Sequence, residues 1–121
     1  MNKLDFLEEM RRATPEKDDD YIKESIIACI NACSAEEPQY PRGHRNLIIA
    51  VEELNELGQQ VCKLLRNTGD KADLIEELAD VYLGSLYIKE IGNISDEELN
   101  KAINVKIKRV NNKIKDIGTY L

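Results

Sequence analysis

Apolar residues recur every three or four positions over most of this chain, which is the period of an α-helix. The pattern predicts five helical segments in chain order. The first covers about 3–12, the second begins between 14 and 20 and ends at about 34, and the others cover about 44–66, 70–90 and 95–117. Pro38, Pro41 and Gly43 prevent a continuous helix before the third of these, and Gly69 and Gly92 are suited to end the third and fourth. We therefore expect an all-α fold of four or five helices packed as a bundle.

Long apolar stripes run along the last three helices. On the third helix one face carries Leu47, Val51, Leu54, Gly58, Val61 and Leu65. On the fourth helix the residues expected to face inward are Leu74, Leu78, Val81, Tyr82 and Ser85. The last helix begins at a capping box, Ser95 to Glu98, and carries Leu99, Ile103, Ile107, Val110, Ile114 and Ile117. Such stripes can bury a core or an interface between subunits.

Composition and charge narrow the class of protein. A chain of 121 residues with 42% hydrophobic residues is the size of one globular domain, here 1–121. The net charge of −6 argues against sequence-independent binding to a nucleic acid polymer. No apolar run approaches the roughly 20 residues that span a bilayer, and no signal peptide precedes the first helix, so we expect a cytoplasmic protein without a membrane partner.

The chain has three cysteines, which could indicate a metal site or a redox role. Cys29 and Cys33 lie four residues apart on the second helix, in phase with the apolar residues Ile26 and Ile30. No second cysteine pair or histidine cluster completes a zinc site. The sequence favours small hydrophobic core residues over a metal site at this pair.

Two acidic pairs are the most informative feature for function. Glu53 and Glu56, and then Glu77 and Asp80, are each three residues apart, so each pair shares one helix face. If the chain folds back at 66–70, the pairs face one another, and four converging carboxylates repel unless a cation lies between them. All-oxygen ligands suit Mg²⁺, with Mn²⁺ possible. A di-iron site is excluded, because it needs a Glu-x-x-His motif on each of two helices and the only histidine is His44.

Three basic residues share one face of the last helix. These are Lys106, Arg109 and Lys113. They could form a solvated basic surface. Beside a magnesium site they could instead bind a triphosphate, whose charge needs cations beyond the metal.

The segments EELNELGQQVCKLL and IEELADVYLGSLYI resemble the two metal-binding helices of the all-α nucleoside triphosphate pyrophosphohydrolases, the MazG-like group. The segment NVKIKRVNNKI is similar to the basic C-terminal helix of that group. The resemblance covers about 44–115, and 1–43 would be an N-terminal extension and first helix. It implies that Mg²⁺ is coordinated by Glu53, Glu56, Glu77 and Asp80. It also implies that Glu52 supports this site and that phosphate is bound by Lys106, Arg109 and Lys113.

The activity that the resemblance implies is Mg²⁺-dependent hydrolysis of a ribo- or deoxyribonucleoside triphosphate to the monophosphate and pyrophosphate. Glu56 is the residue expected to accept the proton of the attacking water, and Glu52 is its expected catalytic partner. One pair of helices offers a shallow groove, so a homodimer or homotetramer is expected. The alternative is a non-catalytic helical interaction protein with an acidic partner-binding face.

Overall fold

The computed structural model describes residues 2–119, and all of its regular structure is helical. The five helices are α1 (Lys3–Arg12), α2 (Asp19–Glu36), α3 (His44–Leu65), α4 (Lys71–Ile91) and α5 (Asp96–Thr119). The all-α prediction is confirmed, and residues 2–119 contain no strand. No helix within that range is long and apolar enough to cross a membrane.

Short polar side chains cap the starts of α2 and α5. The Asp18 side chain accepts a hydrogen bond from the Tyr21 amide, so α2 begins at Asp19 and not at Thr14 or Pro15. At α5 the predicted capping box is present, with the Ser95 amide donating to Glu98 Oε1 at 3.0 Å and the Glu98 amide donating to Ser95 Oγ at 3.1 Å. These hydrogen bonds lower the pKa of Glu98.

The expectation that Gly69 takes the left-handed position after α3 is wrong, whereas α4 ends at Ile91, immediately before Gly92, as expected. The left-handed positions belong to Asn67, with φ 56°, and Asn93, with φ 55°. Asparagine tolerates this conformation better than other residues with a side chain. Gly43 does adopt a positive φ of 84°, but it precedes α3 instead of ending a helix.

The chain divides into two compact units, Met1–Ile91 and Gly92–Leu121. In the first, α3 and α4 make the most extensive contact, α2 packs on both, and α1 packs on α4. The small buried core consists of Ile26 and Ile30 from α2, Ala50 from α3 and Gly84 from α4. A Cβ at Gly84 would lie 3.4 Å from Ala50 Cα, so this pair of small residues lets α3 and α4 approach closely. The expectation of a single domain over 1–121 stays a prediction.

The two faces of α3 differ in an unexpected way. The protected face carries Asn46, Ala50, Glu53, Leu57 and Gln60, which are buried or half-buried. The predicted apolar stripe lies on the other side, and its large members Leu47, Val51, Leu54, Val61 and Leu65 are 37 to 79% exposed. On α4 the inward orientation expected for Leu78, Tyr82 and Ser85 is also wrong, since all three are exposed in the single chain.

The second unit contains α5. Its apolar stripe, Leu99, Ile103, Ile107, Val110, Ile114 and Ile117, is 38 to 61% exposed. The acidic first turn, Asp96 to Glu98, lies at the end of the helix where negative charge interacts favourably with the helix dipole.

Cys29 and Cys33 are half-buried, so neither is a fully buried core residue. Cys29 Sγ accepts hydrogen bonds from the Tyr87 hydroxyl at 3.3 Å and from Asn46 Nδ2 at 3.6 Å. Burial, with a smaller effect of Cys29, raises the pKa of Tyr87 to about 12. The sulfur therefore accepts hydrogen bonds from one buried polar side chain of α3, Asn46, and from the half-buried Tyr87 of α4.

Candidate metal centre

The contact between α3 and α4 brings three glutamates together. One carboxylate oxygen from each of Glu53, Glu56 and Glu77 lies within 4.8 Å of the other two. Asp80 is not one of these three, but it faces Glu53 closely enough to raise the pKa of that residue. We refer to Glu53, Glu56, Glu77 and Asp80 as the acidic cluster.

The register of α3 against α4 explains this convergence. Ala50 contacts Gly84, Glu53 lies opposite Asp80, and Glu56 interacts with Glu77, so residue numbers rise on one helix as they fall on the other. Because both acidic pairs have three-residue spacing, an antiparallel arrangement aligns them. The close Ala50–Gly84 approach lies about one turn from the carboxylates.

The electrostatics of the cluster are unfavourable for four ionised carboxylates. Burial is the main cause that raises the pKa of Glu53 to about 7, and the charges of Asp80 and Glu56 add to it. The pKa of Glu77 is also raised, first by burial and then by Glu56. Without a cation, Glu53 therefore keeps its proton at pH values between about 4.5 and 7, where an isolated glutamate has released it.

Two oxygens in the cluster lack hydrogen-bond partners. Glu53 Oε2 and Glu77 Oε2 are enclosed by protein, and neither accepts a hydrogen bond from any residue in the described range. An enclosed acceptor without a partner costs about 1–3 kcal/mol, and more when charged. A hard divalent cation would satisfy such oxygens, so the side chains present fit Mg²⁺ or Mn²⁺.

The other predicted site residues lie outside the three converging glutamates. Glu52 is exposed on α3, next to Glu53 in the sequence. Lys106, Arg109 and Lys113 are exposed on α5, in the second unit. Their roles as a catalytic partner and as phosphate ligands stay predictions.

Two amide side chains on the protected face of α3 were missed by sequence reasoning as candidates. Asn46 is fully buried, and Asn46 Oδ1 and Gln60 Oε1 are enclosed without a hydrogen-bond partner among the described residues. The available signal was spacing. Each lies seven residues from Glu53, so both share its side of the helix.

Comparison with known proteins adds no identification. No family model matches the chain, and no curated protein or solved structure matches it significantly. The similarity of the two acidic helices to the MazG-like group therefore remains a resemblance of motifs.

Proposed function

We propose that this protein binds Mg²⁺ at the acidic cluster and hydrolyses a nucleoside triphosphate to the monophosphate and pyrophosphate. The observation that supports this most directly is the pair of enclosed oxygens, Glu53 Oε2 and Glu77 Oε2, beside a third carboxylate contributed by Glu56. A solvated acidic face would instead direct its oxygens to water. The step from metal binding to hydrolysis rests on the resemblance of the motif helices.

The exposure of the carboxylates suggests a division of roles. Glu53, Glu77 and Asp80 are half-buried and would hold the cation, together with one oxygen of Glu56. When bound, Mg²⁺ would supply charge neutralisation at the phosphates. Mn²⁺ is the alternative cation.

Glu56 is the exposed member of the cluster and can be reached by water, which makes it the best candidate for the general base. In the proposed reaction Glu56 accepts the proton of a water whose oxygen bonds to the α-phosphorus. The bond from that phosphorus to the bridging oxygen breaks, and pyrophosphate leaves. Glu52 would support Glu56, and a phosphate-binding role for Lys106, Arg109 and Lys113 rests on the resemblance of the last helix alone.

A homodimer or homotetramer forms part of the proposal. The exposed stripe of α3, from Leu47 to Leu65, is a contiguous apolar surface of the kind that monomeric proteins rarely present. A second copy of the chain packed on this stripe would remove it from water.

The test is pyrophosphate release from a panel of ribo- and deoxyribonucleoside triphosphates with and without Mg²⁺, beside the Glu56→Ala protein. We expect release that requires Mg²⁺ and falls by about 10² or more in the variant, the range for loss of a general base. Circular dichroism establishes that the variant is folded. Absence of release from the whole panel would contradict the proposal.

The second candidate is a non-catalytic interaction protein whose acidic face binds a partner. The exposed α3 stripe, on the other side of that helix, would give such a protein a second surface suited to a helical partner. Melting with millimolar Mg²⁺ separates the two, since a ligand that binds only the folded state stabilises it. A solvated acidic face would show little rise in melting temperature when Mg²⁺ is added.

A further inference from the structure

A cavity of about 300 Å³ lies where α3 ends and α4 begins, close to the acidic cluster. Its volume is at the lower end of the range for small-molecule sites. It is lined by Gln60, Leu64, Gly69, Asp70, Lys71 and Leu74. All of these belong to the first compact unit, as does the acidic cluster.

The lining combines apolar surface with one amide. Leu64 and Leu74 supply aliphatic side chains from the two helices. Gln60 Oε1 is enclosed and accepts no hydrogen bond from the residues 2–119. Rotation about the last side-chain torsion of Gln60 can present either its oxygen or its amide N–H groups to the cavity, so this residue can match a ligand edge that carries donors and acceptors.

The cavity is also lined by two charged residues, Asp70 and Lys71. Asp70 forms an ion pair with Lys3 and accepts hydrogen bonds from the amides of Ala72, at 2.8 Å, and Asp73. These contacts lower the pKa of Asp70. The negative charge of Asp70 is therefore already compensated by Lys3.

The position of the cavity relates it to the proposed substrate. Gln60 follows Glu56 by four residues on α3, a rise of about 6 Å along the helix axis. Gln60 also shares the protected face of Glu53. A nucleotide whose phosphates lie at the acidic cluster has its base separated from them by the sugar, at a distance of this order.

We propose that this cavity is the base-binding site for the nucleoside triphosphate. The Gln60 amide pairs with the hydrogen-bonding edge of the base, and Leu64 and Leu74 contact its ring faces. An amide side chain is well suited to this role, because it offers a donor and an acceptor side by side. The inference rests on the proposed function for its substrate, but the cavity can be tested without hydrolysis.

The kinetic experiment fills the cavity with a Leu64→Trp substitution. Its control is Leu4→Trp on α1, at a leucine that is 77% exposed, does not line the cavity and lies outside the α3 stripe. Each protein is assayed with nucleoside triphosphates and with methyl triphosphate, which has the same anhydride bonds but no base. We expect Leu64→Trp to raise KM for nucleoside triphosphates roughly tenfold, with kcat and methyl triphosphate hydrolysis unchanged, and Leu4→Trp to change none of them.

An unchanged KM in Leu64→Trp would overturn the proposal. So would an equal rise in KM for methyl triphosphate, or an equal effect of Leu4→Trp.

Binding provides the arm that does not depend on catalysis. In NMR titrations without Mg²⁺, nucleosides that lack phosphate should shift the resonances of Gln60, Leu64 and Leu74, and Leu64→Trp should remove those shifts. If hydrolysis is absent but these shifts occur, the proposed activity fails and the base site stands. If hydrolysis occurs and no nucleoside shifts these resonances at millimolar concentration, the base site is wrong.

Discussion

The two faces of α3 have the opposite polarity to that of an ordinary surface helix. The face protected by α2 and α4 carries Asn46, Glu53 and Gln60, whereas the exposed face carries an aliphatic stripe at heptad spacing. A surface helix of a monomer usually buries its apolar stripe and exposes its charges. The inversion suggests that the protected face is built to bind a ligand and the exposed face to bind another chain.

Both faces cost free energy in the isolated chain. Enclosed carboxylates that lack partners are disfavoured, and so is a long apolar stripe in contact with water. A cation between α3 and α4 would remove the first cost, and a second subunit would remove the second. The predictions below separate the contributions of the two faces.

The largest effect is expected on the protected face. Glu77→Gln removes one carboxylate of the cluster while preserving the size of the side chain. Mg²⁺-dependent pyrophosphate release should fall by about 10²-fold or more, because cation binding and phosphate neutralisation are lost together. The melting temperature without metal should rise, since one source of repulsion is removed.

Glu76→Gln is the matched control, because it makes the same change one residue away and outside the three converging glutamates. A similar loss of activity in both variants would show that the cluster has no special role.

The exposed face should control assembly. Leu54→Glu places a charge in the centre of the α3 stripe and should convert the oligomer into a monomer in sedimentation. Leu4→Glu introduces the same charge at another exposed leucine, on α1, and should leave the oligomer intact. A fully active monomer of the unsubstituted protein would contradict the proposed role of the stripe.

Substitutions at two glycines test whether α3 and α4 approach closely. Gly84 lies at the contact between the helices, and Gly58 lies away from it. Gly84→Leu should lower the free energy of unfolding by about 1–3 kcal/mol, because the added side chain meets Ala50. Gly58→Ala should instead raise it by about 0.5–1 kcal/mol, since Gly58 lies in open space on α3 and alanine favours the helix. Chemical denaturation measures both, and a tolerated Gly84→Leu would contradict the close approach.

The protonation of Glu53 should make the stability of the fold depend on pH. The folded protein without metal keeps a proton on Glu53 up to a pKa of about 7, whereas the unfolded chain releases it near 4.5. The folded state binds more protons in this interval, so the free energy of unfolding should fall as pH rises from about 4.5 to 7. Saturating Mg²⁺ should flatten the slope, and so should Glu53→Gln. An unchanged slope in that variant would mean that other groups cause it.

The helices and the alignment of the acidic pairs could be predicted because their causes are local. Three-residue spacing places two carboxylates on one face, and the break at 66–70 lies between the two pairs. The capping box at Ser95 is likewise a pattern of four consecutive residues.

The features that were not predicted depend on what each face meets. The exposure of Leu78 and Tyr82 follows from how α4 packs on α1, α2 and α3, and the place of the apolar stripe follows from how α3 packs on α2 and α4. Periodicity alone decides neither. The cavity at Gln60 needs side chains from both helices and the turn, so no single segment signals it. The left-handed residue after α3 was also not predicted. Asparagine and glycine both adopt this conformation, and here Asn67 does so instead of Gly69.

Titration with Mn²⁺, followed by the electron paramagnetic resonance of the free ion, tests the central claim most directly. The account predicts saturable binding that is lost in Glu53→Gln and Glu77→Gln and retained in Glu76→Gln. Binding that is absent, or that weakens equally in all three variants, would contradict a metal centre between α3 and α4.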